Sequence, residues 1–194
     1  SRCLVGSEMC IRDRINPAKL KNLVYENPIN RNAGLDVHEN PIKNHQYLIT
    51  VDVARGLGND YSAFIVVDIT NFPYNIVAKY RNNEIKPMLF PSIIYDVAKG
   101  YNDAFLLVEV NDIGDQVASI IHYDLEYDNL LMASMRGRAG QVVGTGFSGK
   151  KTQLGVRTTA AVKKLGCSNL KTLLEDDKIP VSYTHLTLPT TRYV

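Results

Sequence analysis

Apolar residues run almost unbroken through Tyr47–Val53 (YLITVDV), the pattern of a strand covered on both faces, and one aspartate, Asp52, interrupts the run. Ala54–Asp60 (ARGLGND) reads as a turn, and Tyr61–Ile69 as a second strand. After Pro73, Tyr74–Asn82 alternates, with Ile76, Ala78 and Tyr80 on one face, which predicts a third strand. The short links between these runs predict an antiparallel meander. The period then changes. Leu89, Ile93, Ile94 and Val97 fall on one helical stripe, so a helix is expected from Pro87 through Lys99. Ala104–Val110 (AFLLVEV) is again a buried-strand pattern, and Gly114–Leu125 a helix using Val117, Ile120 and Ile121.

Further along, Leu130–Ser134 predicts a short strand, and Arg136–Lys151 a glycine-rich, basic loop or twisted hairpin. Gln153–Leu165 and Ser168–Asp177 read as two helices joined at Gly166, with Ser168 as N-cap of the second. Ahead of the first strand, Ile15–Asn44 is polar and broken by Pro17, Pro28, Gly34 and Pro41. It predicts a short helix around Ala18–Tyr25 followed by an extended connection. The resulting order, β-β-β-α-β-α-β-α, is that of the RNase H fold. That is an α/β domain whose mixed sheet has three antiparallel strands, then parallel ones, with flanking helices.

Composition narrows the picture only a little. The 194 residues suit one domain, and 45% hydrophobic with 22% charged residues is ordinary for a globular chain. A formal charge of +2 permits a nucleic-acid partner without requiring one. No apolar run is long enough to span a bilayer, so no membrane association is expected. Cys3, Cys10 and Cys167 make neither a disulfide framework nor a zinc pattern, and Cys167 is expected to be a buried thiol. The two ends stand apart. Residues 1–14 (SRCLVGSEMCIRDR) have no periodicity, and residues 180–194 (PVSYTHLTLPTTRYV) are rich in threonine. Both resemble peptides translated from sequencing-adapter DNA and are expected to be foreign. That leaves 15–44 as a connection and 45–179 as the domain.

Two carboxylates carry the chemistry. A charge inside a covered strand costs several kcal/mol unless it is paired or bound to a cation. Asp52 is such a charge, and Glu109 repeats the anomaly in LLVEV. Two acidic groups on neighbouring central strands would repel each other, and a divalent cation removes that penalty. Each could instead sit at a strand end, capping a helix or pairing with a basic side chain.

The segment Tyr47–Asp68 (YLITVDVARGLGNDYSAFIVVD) resembles the first acidic motif of the nuclease domain of the large terminase subunit of tailed bacteriophages. Phe105–Tyr127 (FLLVEVNDIGDQVASIIHYDLEY) is similar to its second motif, and TVDVARG, NDYSAF and EVNDIG look most like T4-type and cyanobacterial phages. Gly166–Lys178 matches further along, so the resemblance spans Ile15–Ile179. It implies an RNase H-like endonuclease that cuts concatemeric viral DNA during packaging, using two Mg²⁺ or Mn²⁺ ions. Asp52 would bridge both metals, Glu109 would ligate one, and Asp60 matches a further acidic position near the site. Strand alternation sends neighbours to opposite faces, so Asn111 and Asp112 are expected at most to support the ligands from behind. The family completes its site with a third acid in an Asp-Asp pair near the domain's end. None follows Lys178, and Asp176 and Asp177 belong to the preceding helix, so weak metal binding and poor cleavage are expected of this chain.

The resemblance also implies double-stranded viral DNA, a portal protein and the small terminase subunit as partners, in the host cytoplasm at the procapsid. An N-terminal ATPase would precede the connection. Arg136, Arg138, Lys150, Lys151 and Arg157 are the candidate DNA contacts, because glycines let a basic loop approach a phosphate backbone. Gly144, Gly149 and Lys150 have Walker A spacing, but Lys151 stands where Ser or Thr should be, with Thr152 one place late. Two rivals share these features: a resolvase or transposase of the same fold, and a non-catalytic DNA-binding domain.

Overall fold

In the computed structural model, which describes residues 26–135, 141–144 and 152–179, the apolar strand Tyr47–Asp52 (β3) lies inside a six-stranded sheet. Its partners are β4 (Ser62–Asp68), antiparallel, and β6 (Phe105–Val108), parallel. The sheet order is β1-β2-β5-β4-β3-β6, where β5 is Asn75–Asn82 and β1 (Asn30–Asn32) and β2 (Leu35–Val37) form a hairpin at the edge. The mixed sheet expected from the sequence is therefore present: β3, β4 and β5 make the antiparallel meander, and β6 returns parallel to β3 through a helix.

That helix, α1 (Phe90–Gly100), starts three residues later than the pattern suggested, and Pro91 rather than Pro87 occupies its first turn. A proline lacks an amide donor, so it is tolerated where the helix has no acceptor to offer. Phe90 packs its ring 6.1 Å from Phe64 and 5.5 Å from Tyr80, seating α1 on β4 and β5. Behind β6, α2 (Gly114–Ser119) runs into a single wider turn at Ile120–Asp124. Ile94, Ala98, Val117, Ala118 and Ile121 are fully buried against Ile49, Leu106 and Val108.

Burial in β3 alternates. Tyr47, Ile49 and Val51 are covered, while Leu48 and Thr50 are half-buried and Asp52 is exposed. This corrects the expectation of a strand sealed on both faces with Asp52 at its middle: one face is open, and Asp52 ends the strand.

Three further expectations change. The extended connection contains the β1–β2 hairpin, which pairs with β5 at Leu35↔Tyr80. Burial alone would raise the pKa of Asp36 there, but hydrogen bonds and charge from Arg31 and Lys79 hold it below the ordinary carboxylate value. The two helices read around Gly166 are one, α3 (Ala160–Glu175), capped by Thr159, whose hydroxyl accepts the Val162 amide at 3.3 Å. Gln153 lies in a strand, and Ser168 is inside α3 rather than at a cap. Cys167 is only half-buried on α3. The short helix at residues 18–25 and both suspect ends lie outside the described residues.

The basic, glycine-rich segment is partly a hairpin: β7 (Met132–Met135) pairs antiparallel with β8 (Gln141–Gly144) and β9 (Thr152–Leu154). This small sheet is stitched to the outer edge of β6. Leu131 N–H donates to the Leu106 carbonyl at 2.8 Å, and Val156 N–H to that of Val108 at 2.8 Å. Gly155 makes the approach possible, because a Cβ there would lie 2.2 Å from the Val108 oxygen. Among the described residues no helix is long and apolar enough to cross a membrane.

Gly166 offers a direct check on the single-helix reading. It has no positive φ, and a Cβ added there would meet nothing within 4 Å. Gly166→Ala is therefore expected to stabilise the chain by about 0.5–1 kcal/mol in urea denaturation, because alanine lowers the backbone entropy lost on folding. A loop at this position would show no gain.

Candidate active site

Parallel pairing sets the site. β3 and β6 run in register from Leu48↔Phe105 to Val51↔Val108, and the Glu109 N–H donates to the Val51 carbonyl at 2.9 Å. One step further along the same register stands Asp52 beside Glu109. Both lie on the open face, because they continue the half-buried rows Leu48–Thr50 and Phe105–Leu107. The two carboxyl groups share a hydrogen bond. The pKa of Asp52 is raised to about 6, first by desolvation and then by the Glu109 charge and that hydrogen bond, with Asp60 adding to the rise. Asp52 stays open to solvent at the strand end, yet the protein around its carboxyl removes enough water for desolvation to dominate.

Asn111 holds the second carboxylate. Its Nδ2 donates to Glu109 Oε1 at 2.6 Å and reaches the Thr158 carbonyl at 3.4 Å. Asn111 is thus behind the carboxylate, as far as the sequence admitted it, and it shares the face of Glu109 because alternation returns residue i+2 to the face of residue i. Gly114 then lets the chain turn tightly: a Cβ there would lie 1.9 Å from the Glu109 carbonyl oxygen. On the other strand the turn after Asp52 is pinned by its glycines. Gly58 donates to the Asn83 carbonyl at 2.9 Å, and Gly56 (φ +67) packs against the Ile85 carbonyl, where a Cβ would come within 2.2 Å.

Asp60 is exposed at the end of that turn and acts on Asp52 through its charge. Among the described residues, however, no three His, Cys, Asp or Glu side chains gather as a metal-holding group. Asp176 and Asp177 are remote. The chain leaves Val156, beside Glu109, and α3 carries it to Lys178, whose carbonyl accepts the Tyr74 N–H at 2.8 Å. Tyr74 precedes β5 at the opposite end of the sheet from Asp52, since Tyr47, Asp68 and Asn75 pair there.

Arg157 follows Val156 and is exposed on the flank of Glu109, whereas Arg136, Arg138, Lys150 and Lys151 lie outside the described residues. Of the residues with Walker A spacing, Gly149 and Lys150 lie outside the described residues. Thr152 begins strand β9, where a phosphate-binding loop would lead into a helix.

A mixed sheet carrying adjacent carboxylates at the ends of two parallel strands defines an RNase H-like α/β domain. The family model described as Terminase RNaseH-like domain matches residues 49–191, and the chain belongs to that family. Solved structures share the fold. The large terminase nuclease of thermophilic phage G20c with bound zinc is 21% identical with a TM-score of 0.62, covering 91% of this chain and 87% of that one. Its magnesium-bound structure gives a TM-score of 0.61 at 21% identity, covering 86% and 72%. The Thermus phage P74-26 large terminase nuclease domain gives 0.57 at 20% identity, covering 86% and 70%.

The raised pKa of Asp52 predicts a pH-dependent stability. A carboxyl whose pKa rises on folding favours the folded state while protonated and penalises it once ionised. The penalty therefore builds between pH 3.8, the ordinary value, and about 6, and is complete above that. In EDTA, Asp52→Asn should stabilise the chain by roughly 1 kcal/mol at pH 8, after discounting for solvent screening at this open position, and by nothing at pH 3.5. Denaturation curves at both pH values test this; equal effects at the two would refute it.

Gly114→Ala is expected to displace the Glu109 backbone and lower the melting temperature by several degrees, corresponding to about 1–3 kcal/mol. Calorimetry reads the loss.

Proposed function

We propose that this chain supplies the endonuclease activity of a phage DNA-packaging terminase, cutting concatemeric double-stranded viral DNA with divalent cations held at Asp52 and Glu109. The observation that supports this most is the pairing of those two carboxylates, side by side on an open sheet end, in a chain of the terminase RNase H-like family. Oxygen donors of like charge at one place are the chemistry that hard divalent cations select. The phage G20c nuclease has been solved with magnesium, cobalt and zinc bound.

In this reading Asp52 and Glu109 would hold Mg²⁺ or Mn²⁺, two ions in all, with Asp60 adding negative charge at the margin. Asn111 keeps Glu109 turned toward Asp52 by its 2.6 Å hydrogen bond. Bound there, the cations would supply an activated water and neutralise charge on the phosphate and the leaving oxygen. The protein's own task is to hold the carboxylates aligned, which the register of β3 and β6 supports. Arg157, together with the basic stretch Arg136, Arg138, Lys150 and Lys151, is proposed to track the DNA backbone without reading sequence. The portal protein and small terminase subunit are the partners proposed from the family, with assembly in the host cytoplasm.

Among the described residues the two carboxylates gather no third ligand, and such a pair would hold cations weakly, so saturation on the order of millimolar Mn²⁺ is expected. Titration with Mn²⁺ should raise the melting temperature of the chain, and Asp52→Asn should abolish the rise. Nicking of long linear duplex should be slow and equally dependent on Asp52. The absence of both responses overturns the metal-nuclease reading. Vigorous cleavage lost in Asp52→Asn keeps that reading and overturns the proposed weakness of the site. Preference for branched junctions over linear duplex points instead to a resolvase-type enzyme.

A further inference from the structure

Arg55 lies three residues beyond Asp52, and Asp112 three residues beyond Glu109. Because β3 and β6 are parallel and in register, the two loops leave the sheet together and these side chains meet across its end. The guanidinium grips the carboxylate with both prongs: Nε donates to Oδ2 at 2.8 Å and Nη2 to Oδ1 at 2.7 Å. Both side chains remain open to water, at 65% and 61% exposure, and an ion pair so exposed contributes little to stability. Asp112 takes a left-handed backbone conformation, φ +53, to present its carboxylate there. The fold gains little from this arrangement, so its use lies elsewhere.

A guanidinium fork fits two phosphate oxygens as it fits two carboxylate oxygens. The acidic pair at the same sheet end repels a phosphodiester, and a guanidinium handed from Asp112 to the phosphate would offset that repulsion. Arg157 follows Val156, which bridges Glu109 on the edge away from β3, so the chain carries a second exposed guanidinium near this end of the sheet.

We propose that Arg55 is a phosphate-binding residue of this site, held in its binding geometry by Asp112 until a DNA phosphate replaces that carboxylate. The inference rests on the nuclease reading above, because it needs DNA at this end of the sheet. It assigns Arg55 a role separate from holding the cations.

The test is DNA binding by fluorescence anisotropy on linear duplex, over a salt series in Ca²⁺, with melting temperatures measured alongside. Arg55→Ala should weaken binding roughly fivefold to tenfold and reduce the slope of log affinity against log salt by about one. Arg55→Lys keeps the charge but loses the fork and should fall between. Asp112→Asn releases the guanidinium, so it should bind DNA at least as tightly as the unaltered chain. Equal losses in Arg55→Ala and Asp112→Asn would mean a structural latch and overturn the proposal. No change in Arg55→Ala would also overturn it while leaving the nuclease reading intact. Failure of the unaltered chain to bind DNA would overturn both.

Discussion

Mutual repulsion between Asp52 and Glu109 is the constraint around which this domain is arranged. Backbone pairing forces it: the parallel register of β3 and β6 sets the two carboxylates side by side on the open face. Desolvation first, and this repulsion after it, raise the pKa of Asp52 to about 6, and protonation relieves both. Asn111 and the tight turn at Gly114 hold Glu109, and the glycine-pinned turn after Asp52 fixes the other strand end.

The rigidity behind the site comes from the covered face. Phe64, Tyr80 and Phe90 stack between sheet and helix, with ring centroids 5.1 to 6.1 Å apart. Ile49, Leu106 and Val108 are fully buried below them. A carboxylate pair on a soft scaffold would separate to relieve its repulsion. Here separation would break backbone hydrogen bonds such as that from Glu109 N–H to the Val51 carbonyl, at 2.9 Å. The cost of holding like charges together is thus met by burial on the opposite face of the same strands.

The charge at this end of the sheet is not balanced locally. Asp60 adds negative charge at the margin, and Arg55 is already neutralised by Asp112. A polyanion approaching such an acidic site needs positive groups to receive it, which an exposed guanidinium can supply only by exchanging its carboxylate partner for a phosphate.

The sequence by itself determined the β3–β5 meander, the helical crossover to β6 and the two anomalous acids, because each rests on local pattern. An acid inside an apolar run stands out whatever lies beside it in space, so Asp52 and Glu109 were legible. The family resemblance was legible for the same reason, since its motifs are contiguous. Tertiary structure alone decided that β3 is open on one face, because coverage depends on which layers pack there, and an apolar run reads the same either way. It merged two helices at Gly166, where a glycine's helix penalty of about 1 kcal/mol is too small to end a helix capped by Thr159. It folded residues 30–37 into the sheet edge through long-range pairing with β5. The Arg55–Asp112 contact, 57 positions apart in the chain, likewise exists only because two parallel strands end together.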